Sequence, residues 1–584
     1  MASYQAPVRE MLFVLNDVLH VNELQAIPRF AEASPELMAG VIDEAAKFIE
    51  RELAPLNRTA DELGCKYKDG EVVVPPGFAE AYKQYWQGGW VGLAHDAEYG
   101  GQAMPYTLSK VVGEMVCSAN VAFELYVGLT QDCFEAILAN GTEEQKQTYC
   151  HKLAVGEWTG TMCMTEPQAG SDVGAVKTKA IPQAGGSYVI EGQKIFITSG
   201  EHRMVDNIIH FVLARLPDSP SGVKGLSTFV VPKFLVKPDG TLGERNKVRC
   251  VSIEHKMGMH GSCTCTLAFE GANGWLVGKP NQGIQNMFVM MNLARIMVGF
   301  QGLGQCELAT QNAVRYAKDR KQGKAFNGGA EIIEHPDVRR MLLHMKAITE
   351  GARVMAYETA KHADLAQHHP DAAVREAAQD WVELTTPLVK AFCTDQAVEL
   401  GSMAIQVYGG HGYIREHGIE QILRDSKILC LYEGTNGIQA MDLVRRKLVM
   451  QNGRLADRFF QRAEAVLKQH ATDKQMAFIV QPLTAALKHL HATTQWLQTR
   501  MKEGPNDAGA AAADYLRAFS LAMLGYNWLR MAAAALKSDD ANFRAAKLAT
   551  ASFFATRLLP QVDSLCVMAQ AGGDSVMELA AANF

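Results

Sequence analysis

The period of the apolar residues changes twice along the sequence, and this limits the folds that the chain can adopt. Up to about residue 157 apolar positions recur at helical spacing, as in residues 7–20. Residues 158–282 instead hold short alternating segments rich in β-branched and aromatic residues, separated by glycine, proline and aspartate. From residue 283 the helical period returns in long stretches. We therefore expect helical, β and helical domains in that order.

The predicted fold class is a multidomain α+β protein with four parts. A polar break at Gln451-Asn452-Gly453 separates the last two parts. The parts are an N-terminal helical domain with an N-terminal extension (1–157), a middle β domain (158–282), a C-terminal four-helix bundle (283–452) and an additional C-terminal helical domain (453–584).

Charge and cysteine usage exclude several classes of protein. The net charge of −6 argues against a nucleic-acid or membrane-surface protein, because both need a concentrated basic face. No run reaches the ~18 apolar residues of a membrane span, so we expect no such span. The twelve cysteines are scattered without a C-x-x-C pair, which indicates reduced thiols, no metal site and a cytoplasmic location. The N-terminus lacks the pattern of a signal peptide.

Two glycine clusters, GFQGLG and VYGGHG, do not follow the pattern of a Rossmann nucleotide-binding unit. That unit needs G-x-G-x-x-G opening a helix within alternating strands and helices. A flavin or nucleotide would therefore have to be held in another way.

One candidate for such a cradle is TMCMTEPQAGSD, residues 161–172. Its apolar start predicts a strand, and its small residues could bring backbone N–H groups close to a phosphate. In the later segment KIFITSG, Phe196 and Thr198 share one face of a predicted strand and could contact a planar ring. By themselves, the two stretches are more often a plain loop and ordinary sheet packing.

The segment LCLYEGTNGIQ, residues 429–439, places a carboxylate, Glu433, between an apolar run and a Gly-Thr-Asn-Gly turn. A solvated turn residue is one interpretation of Glu433. The apolar run before it and the glycine after it would allow the carboxylate to be partly buried, so its role stays open at this point.

Five segments in register resemble the acyl-CoA dehydrogenase family of flavoproteins. They are TEPQAGSDVGAVKTKA, KIFITSG, RYAKDRKQGKAF, AIQVYGGHGY and LRDSKILCLYEGTNGIQ. The resemblance covers roughly residues 35–450 and implies the helical, β, helical fold expected above. The extended N-terminus and the additional C-terminal domain are similar to the larger bacterial branch, which includes fatty acyl-CoA and 3-methylmercaptopropionyl-CoA dehydrogenases.

The resemblance also implies a reaction of β-oxidation type. Glu433 would remove the α-proton of an acyl-CoA thioester while the β-hydride goes to flavin N5, which gives a trans-2-enoyl-CoA. The backbone N–H of Glu433 and a flavin ribityl hydroxyl would stabilise the enolate-like oxygen. Electrons would then pass to an electron-transfer flavoprotein.

The binding residues follow from the same resemblance. Met162, Met164, Thr165, Gly170, Ser171, Phe196, Thr198 and Thr435 match FAD-binding positions, and Arg320, Gln406, Gly409 and Gly410 match residues that reach the FAD of a neighbouring subunit. Ser171, Glu433 and Gly434 match substrate-binding positions. A homodimer is expected, since relatives with bulky extra helices tend to be dimers.

Some positions depart from the family pattern. The segment Lys321-Gln322-Gly323 is one residue shorter and lacks a phenylalanine, and Gly437 stands where a glutamine is frequent. His260 replaces an arginine and is either a residue that supports the site or a plain loop histidine. Because NLARIM at 292–297 has no acid before Arg295, Glu433 is the only base that the motifs supply.

Two alternatives and one choice stay open at this point. An acyl-CoA oxidase would use the same residues with O2 as acceptor. A flavin-binding relative associated with DNA would need a basic C-terminal domain, which residues 454–584 do not show. The acyl group cannot be chosen, because Met287, Met290, Met291 and Met297 line either an acyl pocket or the core.

Overall fold

The computed structural model describes residues 3–584 and confirms the predicted fold class. Helices precede and follow a group of strands between Thr159 and Val277. The α-helices are α1 (Val8–Phe13), α2 (Pro35–Phe48), α3 (Leu56–Leu63), α4 (Phe78–Gln87), α5 (Tyr106–Asn140), α6 (Glu143–Gln145), α7 (His151–Val155), α8 (Gly283–Asp319), α9 (Pro336–His368), α10 (Ala372–Tyr408), α11 (Ile419–Lys427), α12 (Asn436–Asp442), α13 (Arg454–His470), α14 (Ala477–Glu503), α15 (Pro505–Ala535), α16 (Ala541–Phe553), α17 (Gln561–Ala569) and α18 (Asp574–Met577).

The strands form one large sheet and two small hairpins. The strands are β1 (Lys66–Lys68), β2 (Glu71–Val73), β3 (Thr159–Cys163), β4 (Lys179–Pro182), β5 (Tyr188–Thr198), β6 (Ile208–Arg215), β7 (Leu226–Pro232), β8 (Phe234–Val236), β9 (Leu242–Arg245), β10 (Val248–Ile253) and β11 (Thr264–Val277). The short β1–β2 hairpin lies within the segment that the sequence predicted to be helical, and its three-residue strands are too short to show a period.

In the large sheet the strand order is β10-β11-β5-β4-β6-β3, and β7 pairs with both β11 and β6. Most neighbours are antiparallel, but β3 runs parallel to β6, with Thr159 opposite Ile208 and Cys163 opposite Val212. Along β5, the side chains of Ile190, Lys194 and Ile197 are buried in the protein. This sheet positions both of the predicted flavin-binding stretches, because one follows β3 and the other ends β5.

The described chain divides into two compact units that do not follow chain order. The first unit holds the described part of Met1–Ala46 together with Lys110–Ser118 and Val298–Phe584, and the second holds Lys47–Ser109 and Ala119–Met297. The large sheet belongs to the second unit, and the bundle of helices from Val298 onward belongs to the first.

Within the first unit the helices pack closely around α10. Glycines allow the approach of α8, because a Cβ at Gly299 would lie 2.3 Å from the Val389 side chain and one at Gly302 would lie 2.7 Å from the Cys393 backbone. Helices α9, α11 and α12 also pack against α10. A fully buried Arg353 on α9 ties this packing to Glu114, at 2.7 Å, and to Glu307, at 2.5 Å. The Glu433 segment lies between α11 and α12, and both of these helices pack against α10.

Two helices are long and apolar enough to cross a membrane by length and composition. They are Tyr106–Asn140 and Gly283–Asp319, and 89% and 72% of their most apolar windows are buried inside the protein. Core helices of globular proteins have the same character.

Candidate active site

The Glu433 segment forms a tight left-handed turn that leads into α12. Glu433 is half-buried and has a φ of +54°, and Gly434 follows with a φ of +83°. A positive φ at a residue with a side chain is uncommon, and its cost of about 1 kcal/mol must be offset by the surroundings. Thr435 then begins the helix, since its Oγ1 accepts a hydrogen bond from the Ile438 N–H at 3.3 Å.

Side chains from α10 and α12 hold this turn. Lys390 on α10 is completely buried and donates to the carbonyl of Gly434 at 2.9 Å and to Oδ1 of Asn436 at 2.8 Å. The Asn436 amide donates to Thr394 Oγ1 at 2.9 Å and to Asp395 Oδ1 at 2.7 Å. On the other side, Gln439 Nε2 donates to the Glu433 carbonyl at 3.1 Å. The backbone around the carboxylate is therefore fixed by several independent contacts.

The stretch at residues 161–172 begins as a strand and then turns sharply, as predicted. The strand β3 ends at Cys163, and Glu166 and Ala169 then exchange backbone hydrogen bonds of 3.1 and 2.9 Å. Met162, Met164 and Thr165 are half-buried, whereas Gly170 and Ser171 are exposed at the end of the turn. The predicted residues therefore run from the sheet to the surface in one continuous segment.

A buried ion pair anchors that segment. Glu166 accepts from Lys194 Nζ at 2.8 Å, from Thr178 Oγ1 at 2.6 Å and from the Lys177 and Thr178 N–H groups. Burial alone would raise the pKa of Glu166, but the Lys194 ammonium and these hydrogen bonds outweigh it and lower the pKa to about 2. Glu166 is therefore a poor base at neutral pH, although it lies inside a conspicuous motif.

The two predicted ring-contacting residues lie at the end of β5. Phe196 sits in a bulge opposite Thr266 with a φ of +58°, and its side chain is 58% exposed. Thr198, two residues on, is half-buried and pairs with Thr264. The bulge turns an aromatic side chain outward at the end of a buried strand, which suits a contact with a planar ligand. Their role in binding stays a prediction.

A second group of predicted residues lies at or near the ends of α8 and α10 in the first unit. The Tyr316 ring stacks on Tyr408 with centroids 4.0 Å apart, and Tyr316 OH lies 2.9 Å from His411 Nδ1. These contacts join the end of α8 to the end of α10. Arg320 directly follows α8, Gln406 lies in the last turn of α10, and Gly409 and Gly410 follow α10.

The surroundings of three predicted glycines would each allow a ligand to approach the backbone closely. Among residues 3–584, no heavy atom outside the immediate chain lies within 4 Å of where a Cβ would stand on Gly170, Gly409 or Gly410. Each is exposed, and each lies beside polar side chains that could contact a phosphate or hydroxyl. These exposed glycine backbones, with the exposed Phe196 ring, fit the residue types that FAD requires.

The structure also places His260, two of the methionines and Gly437. His260 bonds through Nδ1 to Asp61 Oδ1 at 2.9 Å and through Nε2 to the Lys256 carbonyl at 2.8 Å, so it joins α3 to the loop before β11. Met287 and Met290 are fully buried in the core of the second unit. For these two methionines the core interpretation is confirmed. Gly437 is exposed beside Thr435.

Sequence reasoning missed the residues that hold the two motifs in place. Lys194 was only a strand residue, and neither Lys390 nor Gln439 was singled out. The one available signal was lysine at positions of otherwise apolar burial, as in KIFIT and TTPLVKAFC. In the part of the chain that the structure describes, no cluster of His, Cys, Asp and Glu could hold a metal ion.

The sequence matches four family profiles that together span most of the chain. They are described as "Acyl-CoA dehydrogenase, N-terminal domain" (39–157), "Acyl-CoA dehydrogenase, middle domain" (161–272), "Acyl-CoA dehydrogenase, C-terminal domain" (281–448) and "Acetyl-CoA dehydrogenase C-terminal like" (459–580). The chain belongs to the acyl-CoA dehydrogenase family, a family of flavin-dependent oxidoreductases.

Two relatives match this chain over nearly the full length of both sequences. The 3-methylmercaptopropionyl-CoA dehydrogenase of Ruegeria pomeroyi is 41% identical over 98% of this chain and 99% of its own. The broad-specificity linear acyl-CoA dehydrogenase FadE5 of Mycobacterium tuberculosis is 34% identical over the full length of both chains. The fold is shared with a Bacillus anthracis acyl-CoA dehydrogenase solved with FAD, with a TM-score of 0.76, 22% identity and coverage of 95% of this chain and 91% of that one.

Proposed function

We propose that this chain dehydrogenates an acyl-CoA thioester between its α and β carbons, with Glu433 as the base. The observation that carries the proposal is the turn at Glu433. A strained, left-handed residue bearing a carboxylate is held by buried contacts from two helices, and such strain clusters at functional sites. Glu166, a carboxylate within another motif, is committed to an ion pair.

In the proposed reaction Glu433 takes the α-proton and the α,β double bond forms as the β-hydrogen leaves with its electron pair. An α-proton beside a thioester is far too weakly acidic for a carboxylate in water. The N–H of Glu433 would donate to the thioester oxygen as negative charge develops there, which lowers the barrier. Gly434, lacking a Cβ, would let the thioester approach the backbone closely.

FAD is the proposed cofactor. When bound, it would supply the two-electron acceptor for the β-hydrogen. Met162, Met164, Thr165, Gly170 and Ser171 would line its ring and phosphate, and Phe196 and Thr198 would lie beside the ring. Arg320, Gln406, Gly409 and Gly410 would reach the FAD bound by a second copy of the chain. Thr435, which follows the base, would also contact FAD. The exposed glycine backbones and the outward Phe196 ring support this assignment.

The proposed partners are an electron-transfer flavoprotein and a second copy of the chain. Two aromatic side chains near the predicted FAD-binding end of the bundle support a homodimer, since Phe326 is 99% exposed and Tyr413 is 86% exposed. We also propose a cytoplasmic location, which the twelve free thiols support.

The test is anaerobic bleaching of the purified yellow protein by a panel of thioesters. The panel runs from butyryl-CoA to palmitoyl-CoA and includes 3-methylmercaptopropionyl-CoA, since the two full-length relatives carry names with different acyl groups. Rapid bleaching by one class would support the dehydrogenase half-reaction and identify the acyl group. Absence of bleaching by every thioester, with FAD bound, would contradict the proposal.

A second measurement separates the dehydrogenase from an oxidase. The bleached protein is exposed to air and the return of the yellow colour is timed. Slow recovery, faster with an electron-transfer flavoprotein, supports the proposed partner. Recovery within the time of mixing would favour the oxidase.

A further inference from the structure

Lys390 occupies an unusual position for a lysine. Its side chain is completely buried on α10, and its ammonium group donates to the Gly434 carbonyl at 2.9 Å and to Asn436 Oδ1 at 2.8 Å. Removing an ammonium group from water is costly, and an apolar side chain would pack there without that cost. The two hydrogen bonds must therefore provide something that packing alone does not.

The residues that Lys390 bonds are those that define the Glu433 turn. Gly434 directly follows Glu433, and both have positive φ angles of +54° and +83°. Asn436 is the first residue of α12, which is aligned by the Thr435 cap. Two consecutive residues with positive φ are strained, and they keep that conformation only where surrounding contacts hold it. Lys390 fixes the carbonyl after the pair, and Gln439 fixes the carbonyl of Glu433 itself.

Other residues in the turn of α10 that carries Lys390 also hold the Glu433 segment. Thr394 Oγ1 and Asp395 Oδ1 both accept from the Asn436 amide, at 2.9 and 2.7 Å. Cys430, ahead of the turn, donates its thiol to the Thr394 carbonyl at 3.4 Å. One turn of a long helix thus holds the Glu433 segment on both sides.

We propose that Lys390 is a positioning residue for Glu433: its ammonium group fixes the left-handed turn that aims the carboxylate at the α-carbon of the substrate. The inference rests on the proposed function, in which Glu433 takes the α-proton. Proton transfer depends steeply on distance and angle, and a displacement of about 1 Å can slow a reaction by about 10²-fold. Lys390 therefore acts on the rate of proton removal and has little effect on thioester affinity.

The experiment compares three variants. Lys390→Met removes the ammonium group with little change in volume, and Asn436→Ala removes one of its acceptors at a half-buried position. Lys547→Met is the matched control, because Lys547 is also a buried lysine of the first unit but bonds Glu350, at 2.8 Å, and Glu10.

Two readouts are taken on the FAD-loaded, full-length protein. The first is the anaerobic rate of flavin reduction by butyryl-CoA and 3-methylmercaptopropionyl-CoA, each with ordinary and α,α-dideuterated acyl groups. The second is amide hydrogen exchange of residues 431–439, which reports on the turn without any turnover.

Lys390→Met is expected to slow flavin reduction by about 10- to 100-fold, with thioester affinity within about 3-fold of the wild type. The α-deuterium isotope effect should rise, because proton removal limits the rate more strongly, and exchange in 431–439 should quicken. Asn436→Ala should change the same quantities by a smaller factor. Lys547→Met should lower stability while its reduction rate and exchange in 431–439 match the wild type.

A wild-type rate and isotope effect in Lys390→Met, with unchanged exchange at 431–439, would overturn the proposal. If Lys390→Met fails to fold, the same result in Asn436→Ala overturns it. If no thioester reduces even the wild-type flavin, the proposed function fails. The exchange data then decide the inference alone: quicker exchange in Lys390→Met than in Lys547→Met supports a positioned turn, and equal exchange overturns it.

Discussion

Two completely buried lysines, one in each compact unit, hold the two motifs in different ways. Lys194 bonds a carboxylate, Glu166, at 2.8 Å and also donates to the Met164 carbonyl at 3.0 Å. Lys390 bonds the Gly434 carbonyl and the Asn436 amide oxygen of the Glu433 turn. The first lysine neutralises the acid of its motif, and the second holds the backbone beside the acid of its motif.

The difference separates an anchoring carboxylate from a catalytic candidate. Glu166 has a pKa of about 2 because Lys194 and several hydrogen bonds outweigh the effect of its burial. A general base must instead exchange its proton near the working pH. A motif that contains an acid is therefore insufficient evidence for a base, and the partners of the acid decide between the two roles.

The greatest change is expected in the free energy of unfolding when one of the two buried lysines is replaced by methionine. Lys194→Met leaves Glu166 as a buried charge without its cation, so the free energy of unfolding should fall by about 3–5 kcal/mol. Lys390→Met removes the donor to the Gly434 carbonyl and to Asn436 Oδ1, and the loss of these two hydrogen bonds should cost about 1–3 kcal/mol. Urea unfolding of both variants measures the difference.

The double variant Glu166→Gln/Lys194→Met serves as the control. It removes both charges and should recover part of the stability that Lys194→Met loses. Equal losses for Lys194→Met and Lys390→Met would contradict the distinction between the two lysines.

A smaller effect is expected from acid. Because the folded state holds the pKa of Glu166 at about 2, below the ordinary value of 4.5, the ion pair stabilises the fold above about pH 4.5. That contribution, up to about 3 kcal/mol, is lost as the pH falls from about 4.5 to about 2. Thermal unfolding of the wild type and Glu166→Gln between pH 7 and pH 3 measures it.

Glu166→Gln should have a shallower loss of melting temperature than the wild type. Some acid sensitivity will persist in it, because the pKa of Glu358 is also lowered to about 2, where Arg530 and Arg462 outweigh its burial. Parallel curves for wild type and Glu166→Gln would show that Glu166 is not part of the charged pair.

The smallest effect is expected at Gly437, on the exposed side of the Glu433 turn. A Cβ there would first meet Thr435 Oγ1 at 3.8 Å, so Gly437→Gln should fit without strain. Its free energy of unfolding should stay within about 0.5 kcal/mol of the wild type, with unchanged flavin content. A clear gain in flavin retention would show that this departure from the family pattern weakens FAD binding.

The sequence best predicted those strands and turns whose geometry depends on a single contiguous segment. The strand and turn of TMCMTEPQAGSD, the strand KIFIT and the turn at Glu433 each depend on neighbouring residues, so their patterns predicted them. The left-handed conformation of Phe196 could not be predicted, because the bulge arises from pairing with β11.

The supporting contacts were missed because they join distant parts of the chain. Lys194 lies 28 residues from Glu166, and Lys390 lies 44 residues from Gly434. Strand register decides the first contact, and the packing of α10 against α12 decides the second. Neither register nor helix packing is encoded in a local pattern.

The proposed removal of the α-proton by the Glu433 carboxylate can be tested by the rate of flavin reduction in a Glu433 variant. Anaerobic flavin reduction by the thioester that bleaches the wild type is timed for Glu433→Gln, with the exposed Glu464→Gln on α13 as control. Glu433→Gln should retain FAD and bind the thioester, but reduce its flavin more slowly by on the order of 10²-fold or more. Near-normal reduction in Glu433→Gln would contradict the claim and place the base elsewhere.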